Sequence, residues 1–150
     1  MAALDARVAR LRAADVEPAP RALIYSNYGG GGTTPGAGTT YDLLLRLAGA
    51  VNVAAEAGLT GHVPLDHERL LALDPPILVV GAALDEPTRS LSQEHLAATP
   101  DLASLRALVE GRLILVPADL LHTTSHELVT AAEYLAPLLR AARGSAALER

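Results

Sequence analysis

Apolar positions along the chain fall into helical stripes separated by short continuous runs. Leu4, Val8 and Leu11 recur at i, i+4 and i+7 among Arg and Ala, which predicts an amphipathic helix over about residues 2–15, ended by Pro18 and Pro20. Residues 21–27 (Arg-Ala-Leu-Ile-Tyr-Ser-Asn) read as a short buried strand, and Tyr28 through Gly38 as a loop rich in glycine. Thr39 or Thr40 caps a helix carrying Tyr41, Leu44, Leu45 and Leu47, which Gly49 closes. Residues 50–54 predict a short strand and then a loop to Pro64. Asp66 is placed to cap a helix over 67–73, which Asp74-Pro75-Pro76 stops.

The clearest strand is Ile77-Leu-Val-Val-Gly, a continuous apolar run of the kind found where both faces of a sheet are covered. Residues 88–110 predict helical pieces broken near Pro100, and residues 112–117 the last strand. From Ser125, the residues Leu128, Val129, Ala132, Leu135, Ala136 and Leu139 recur at helical spacing to about Arg143, leaving a frayed tail over 144–150. This alternation of helix and strand predicts an α/β three-layer sandwich, a Rossmann-like lobe with a mostly parallel sheet of about four strands. The working site of such a sheet is expected at the carboxyl ends of its strands, here the loops 27–38, 54–65, 81–88 and 117–125.

Composition narrows the chemistry. With 150 residues the chain is sized for one core. Its apolar half is aliphatic, with 29 Ala, 28 Leu and 10 Val against 4 Tyr and no Phe or Trp, so a disordered chain is excluded. The net charge of −5, with 12 Arg and no Lys, argues against a nucleic-acid partner. Without Lys there is no phosphate-loop or Schiff-base lysine; without Cys there is no disulfide, thiol nucleophile or thiolate metal site. No run of about 18 apolar residues predicts a membrane span, and the start of the chain does not read as a secretory signal. The expectation is therefore either a cytoplasmic protein or a chain that begins after its targeting segment.

A glycine loop between a strand and a helix is the setting of an anion site, yet residues 29–38, GGGGTTPGAG, contain no G-x-G-x-x-G register. His122 and His126 stand four apart, but Thr123-Thr124-Ser125 between them reads as loop and cap, so no metal site is expected. His62 and His67 flank Pro64 beside Asp66 and Glu68, carboxylates that suit a helix N-terminus without any metal. No Ser has the G-x-S-x-G context of a nucleophile elbow. The residues alone favour a binding module over an enzyme and call for no cofactor.

Four segments in order carry a resemblance: Arg21-Ala-Leu-Ile-Tyr; the run from Gly38-Thr39 to Leu47-Ala-Gly-Ala-Val-Asn52-Val; Val63-Pro-Leu-Asp-His-Glu-Arg-Leu-Leu-Ala-Leu-Asp-Pro-Pro-Ile-Leu-Val-Val80; and Gly111-Arg-Leu-Ile-Leu-Val-Pro117. Over about residues 20–140 the chain resembles the C-terminal lobe of ABC-importer substrate-binding proteins that capture vitamin B12 (cobalamin), haem and ferric siderophores. It departs in Asp74-Pro75-Pro76, where Asp-Pro-Asp is usual, and in Gly49-Ala50, where Gly-Gly is usual.

The resemblance implies two α/β lobes joined by a long helix, with ligand in the cleft between them. Residues 1–17 would be the end of that helix, 18–143 the lobe and 144–150 the tail, with the N-terminal lobe missing from this chain. It further implies ligand binding by Asn27, Tyr28, Thr33, Thr34, His62 and His122, docking of Glu68 onto the importer's permease, and a periplasmic or extracytoplasmic location. A second copy of the chain is the other candidate for the missing half of the cleft. The alternative reading is a stand-alone cytoplasmic Rossmann-like domain that binds a nucleotide or small anion, possible as an enzyme.

Overall fold

The computed structural model describes residues 2–13, 19–27, 31–82, 90–121 and 127–148. Its centre is a four-stranded sheet of β1 (Arg21–Ile24), β3 (Val51–Asn52), β5 (Ile77–Gly81) and β6 (Leu113–Val116), in the order β3-β1-β5-β6. All three pairings are parallel. A separate antiparallel ribbon pairs β2 (Thr33–Pro35) with β4 (His62–Pro64). Helices α1 (Ala2–Ala13), α2 (Thr40–Leu47), α3 (Val53–Glu56), α4 (His67–Leu73), α5 (Leu91–Ala98), α6 (Arg106–Val109), α7 (Ala118–Leu121) and α8 (Glu127–Leu148) surround the sheet, with a 3₁₀ turn at Pro100–Leu102. This is the expected α/β lobe.

Period-two alternation along the strands sorts the core into two layers. Ala22, Ile24, Ile77, Val79, Ile114 and Val116 share one cluster with Leu11 of α1, Leu44 and Leu45 of α2, Leu121 of α7 and the α8 stripe from Leu128 to Leu139. Leu23, Tyr25, Leu78 and Val80 share the other with Val53, Leu70, Leu96, Leu102 and Ala107 from the short helices. Every α8 position expected to face the core is buried. That helix continues to Leu148, past the Arg143 at which the stripe fades.

Local chemistry sets several element boundaries. Thr39 accepts from the Asp42 N–H at 3.0 Å and starts α2, and Asp66 accepts from the Arg69 N–H at 2.8 Å and starts α4. Residues 50–54 do not remain a strand, because the Asn52 side chain accepts from the Ala54 N–H at 3.1 Å and turns the chain into α3. Strand β1 is shorter than the expected 21–27. Tyr25 still donates its N–H to the Val79 carbonyl at 2.9 Å, but Ser26 bridges antiparallel to Thr33 and so passes the chain from sheet to ribbon. The ribbon itself lies in segments the pattern assigned to loops. Three residues per strand, drawn from Thr, Pro, His and Val, are too few to show a period. Gly36 is required by close approach, since a Cβ there would lie 2.3 Å from the Leu59 carbonyl oxygen.

Candidate functional site

The chain leaves β1 for β3 on one side and then crosses to β5 on the other, so the topological switch point lies at the carboxyl ends of β1 and β5. Beside the β1 end an open groove of about 600 Å³ is lined by Asn27, Gly31, Gly32, Leu65, Asp66, His67, Glu68 and Asp101. Its first wall comes from the segment after β1. Its second is the end of the ribbon, where Leu65 donates its N–H to the Gly32 carbonyl at 2.8 Å. The first turn of α4 and the 3₁₀ turn complete it.

Asn27 is buried, its backbone N–H donating to Ser92 Oγ at 2.9 Å and its Nδ2 to the Tyr25 hydroxyl at 3.0 Å. Asp66, His67, Glu68 and Asp101 are exposed, giving the groove a carboxylate rim over a floor of backbone and carboxamide. No Arg lines it among the described residues. Nor, among those residues, do three or more His, Asp or Glu side chains gather as a metal would need.

The structure therefore brings Asn27 and Glu68 to one groove and places Thr33, Thr34 and His62 elsewhere. Thr33 is exposed on β2, paired with Pro64. Thr34 is wholly buried beneath the ribbon, where its hydroxyl donates to the Ile24 carbonyl at 2.8 Å, so its side chain ties ribbon to sheet and does not reach the groove surface. His62 is exposed at the far end of the ribbon, its ring edge-on to Tyr41 with centroids 5.6 Å apart. At about 3.4 Å per residue it stands on the order of 10 Å along the strand from Leu65. Tyr28 and His122 lie outside the described residues, as do 83–88 of the third expected loop and 122–125 of the fourth.

Sequence reasoning missed Tyr25, Ser92 and Asp101. Tyr25 carried a signal: it is the only polar-tipped side chain at the end of the apolar run Ala22-Leu-Ile, and a buried phenol needs a partner. Ser92 and Asp101 carried none, since each comes to the groove only through tertiary packing. The motif residues that looked most specific are ties within the scaffold. Asn52 Nδ2 donates to the Pro35 carbonyl at 3.0 Å and to Asp42 Oδ1 at 3.2 Å, joining β3, α2 and the ribbon. Asp74 closes α4 in a left-handed conformation, φ 38°, and its carboxylate accepts from the Arg106 N–H at 2.9 Å, starting α6.

Residues 1–120 match the family model described as periplasmic binding protein. Among solved structures the chain is similar to the apo form of the periplasmic heme-binding protein RhuT from Roseiflexus sp. RS-1, with 25% identity and a TM-score of 0.77 over 94% of this chain and 54% of that one. It is similar to the periplasmic heme-binding protein BhuT in complex with two hemes, with 27% identity and a TM-score of 0.72 over 94% and 55%. An ABC-type Fe3+-hydroxamate transport system structure from Saccharomonospora viridis DSM 43017 shares the fold, with 22% identity and a TM-score of 0.75 over 91% and 47%. The chain thus spans about half the length of these structures. No curated protein matches it.

Proposed function

The chain belongs to the periplasmic binding protein family, and from that membership we propose that it is the C-terminal lobe of the solute-binding component of an ABC importer. Its cargo is a metal chelate such as haem, a ferric siderophore or cobalamin, and its work is capture and delivery in an extracytoplasmic compartment, with no bond made or broken. The observation that carries the reading is the groove at the switch point of a family member's sheet, lined by Asn27 and Glu68 among others. Haem-binding relatives at 25% and 27% identity support the chelate class. In this reading α1 is the end of the interlobe helix, and an N-terminal lobe or a second copy covers the groove; Tyr28, Thr33, His62 and His122 belong to the wider cleft.

Glu68, exposed in the first turn of α4, is the residue proposed to dock on a cationic permease surface. The same carboxylate opposes the α4 dipole, a role worth about 0.3–1 kcal/mol. Titration of the chain with haemin, cobalamin and a ferric siderophore, followed by absorbance, is expected to give saturable binding of one of them; absence of any binding would remove the cargo assignment. Glu68→Arg is expected to leave the fold intact while abolishing stimulation of the reconstituted permease's ATPase at a cargo concentration that saturates the variant. Stimulation at the parent rate would remove the docking role.

A further inference from the structure

The groove's two walls meet at one buried side chain. Tyr25, 1% exposed, extends β1 through its N–H bond to Val79 and puts its ring in the second core layer with Leu23, Val53, Leu65 and Leu70. Its hydroxyl receives the hydrogen bond from Asn27 Nδ2. Its ring edge lies against Gly32: a Cβ added there would stand 2.7 Å from Tyr25 Cε1, 2.8 Å from the Tyr25 hydroxyl and 2.7 Å from the Leu65 carbonyl oxygen. Gly32 is glycine because that ring and the Leu65 backbone leave no room for a side chain. The Asn27 N–H, held by Ser92, fixes the same wall to the first turn of α5.

We propose that Tyr25 is the positioning residue of the solute groove, its hydroxyl aiming the Asn27 carboxamide and its ring edge seating Gly32, so that one buried side chain sets the spacing of both walls. The inference rests on the reading of this groove as the solute site. A carboxamide already held by a phenol, on a backbone already tied to α5, does not lose its rotamer freedom when a ligand arrives, and preorganisation of that kind raises affinity without adding a contact. Tyr25 touches no solute in this arrangement; it acts through Asn27 and Gly32.

The test combines a measurement that needs no ligand with one that does. Hydrogen exchange of the Asn27 side-chain amide, followed by NMR, is expected to be slow in the parent chain and fast in Tyr25→Phe; unchanged protection in the variant would overturn the proposal. For whichever of haemin, ferrioxamine B or cobalamin binds the parent, Tyr25→Phe is expected to weaken binding about fivefold to tenfold. Asn27→Ala, which leaves the buried ring in place, should cause a similar loss, and the double variant should lose no more than either single one. Independent, additive losses would overturn the positioning role. Failure of all three probes on the parent chain, with Asn27 protection lost in Tyr25→Phe, would instead locate the fault in the solute reading and leave the Tyr25 clamp as found.

Discussion

On one face of the sheet the core is covered by α1, α2, α7 and the long α8; on the other it is covered by α3, α4, α5 and α6, none longer than eight residues. Helices of that length are not stable alone in water. They stand because their apolar sides pack in the second core layer and their ends are closed, by the side chains of Asn52 for α3, Asp66 for the start of α4, Ser90 for α5 and Asp74 for α6, and by the Asp74 backbone N–H donating to the Leu70 carbonyl at the end of α4. The groove opens on this second side, between Asn27, the first turn of α4 and the 3₁₀ turn. A face divided into short capped pieces presents more chain ends and loops to the carboxyl edge of the sheet than a face held by one long helix.

The largest effect that would sharpen this contrast comes from the same deletion in each layer. Leu135→Ala in α8 is expected to cost about 4 kcal/mol, near the upper part of the range for a wholly buried leucine. Leu70→Ala in α4, equally buried, is expected to cost nearer to about 2 kcal/mol, because short pieces can shift to close the cavity. Urea denaturation measures both, and equal losses would show the two faces to be mechanically alike. Next in size, Asp74→Ala removes both a side chain that tolerates the left-handed turn and the acceptor for Arg106, and is expected to cost about 1–2 kcal/mol. Asp74→Asn keeps both and is expected to melt close to the parent. Should the two variants melt together, the capped-end account of the second face fails.

The smallest effect lies on the long-helix face. Arg7 of α1 donates from Nε to Glu133 Oε2 of α8 at 3.1 Å, and this hydrogen bond holds the Glu133 carboxyl below the usual glutamate range. Because the folded value is depressed, the stabilisation is complete above the unfolded glutamate pKa and is lost as pH falls through the lowered folded value. Both side chains are about one-third exposed, so solvent screens the pair and the effect is slight. Melting temperature against pH for Glu133→Gln and the parent should converge in acid and separate above the glutamate range. Parallel curves at every pH would mean that the ion pair does not anchor α1.

Legibility in the sequence followed the same division. The α8 stripe, the β5 run and the Asp66 cap are each stated by residues near one another in the chain, and the structure places them where the pattern does. The ribbon was hidden because its partners, Thr33–Pro35 and His62–Pro64, are far apart in sequence and each too short for a period. At the site, Asn27 is picked out by its place at the end of β1 and Glu68 by the resemblance, and both line the groove, whereas Tyr25, Ser92 and Asp101 reach it only by packing. Thr34 shows what the pattern leaves unread: a polar residue in a glycine loop, expected to face ligand, turns its hydroxyl inward to the Ile24 carbonyl through alternation along β2.

The bridge between Ser26 and Thr33 has its own consequence for descent. With those two residues hydrogen-bonded to one another at 2.8 and 3.1 Å, the intervening segment begins and ends at fixed points that do not depend on its contents. Each doubling of such a loop adds only about 0.6 kcal/mol of closure entropy, well below the loss from one truncated core leucine. Length can therefore be added between the two pins at low cost while the sheet, the ribbon, Tyr25 and the Asn27 and Gly32 packed on it stay as they are.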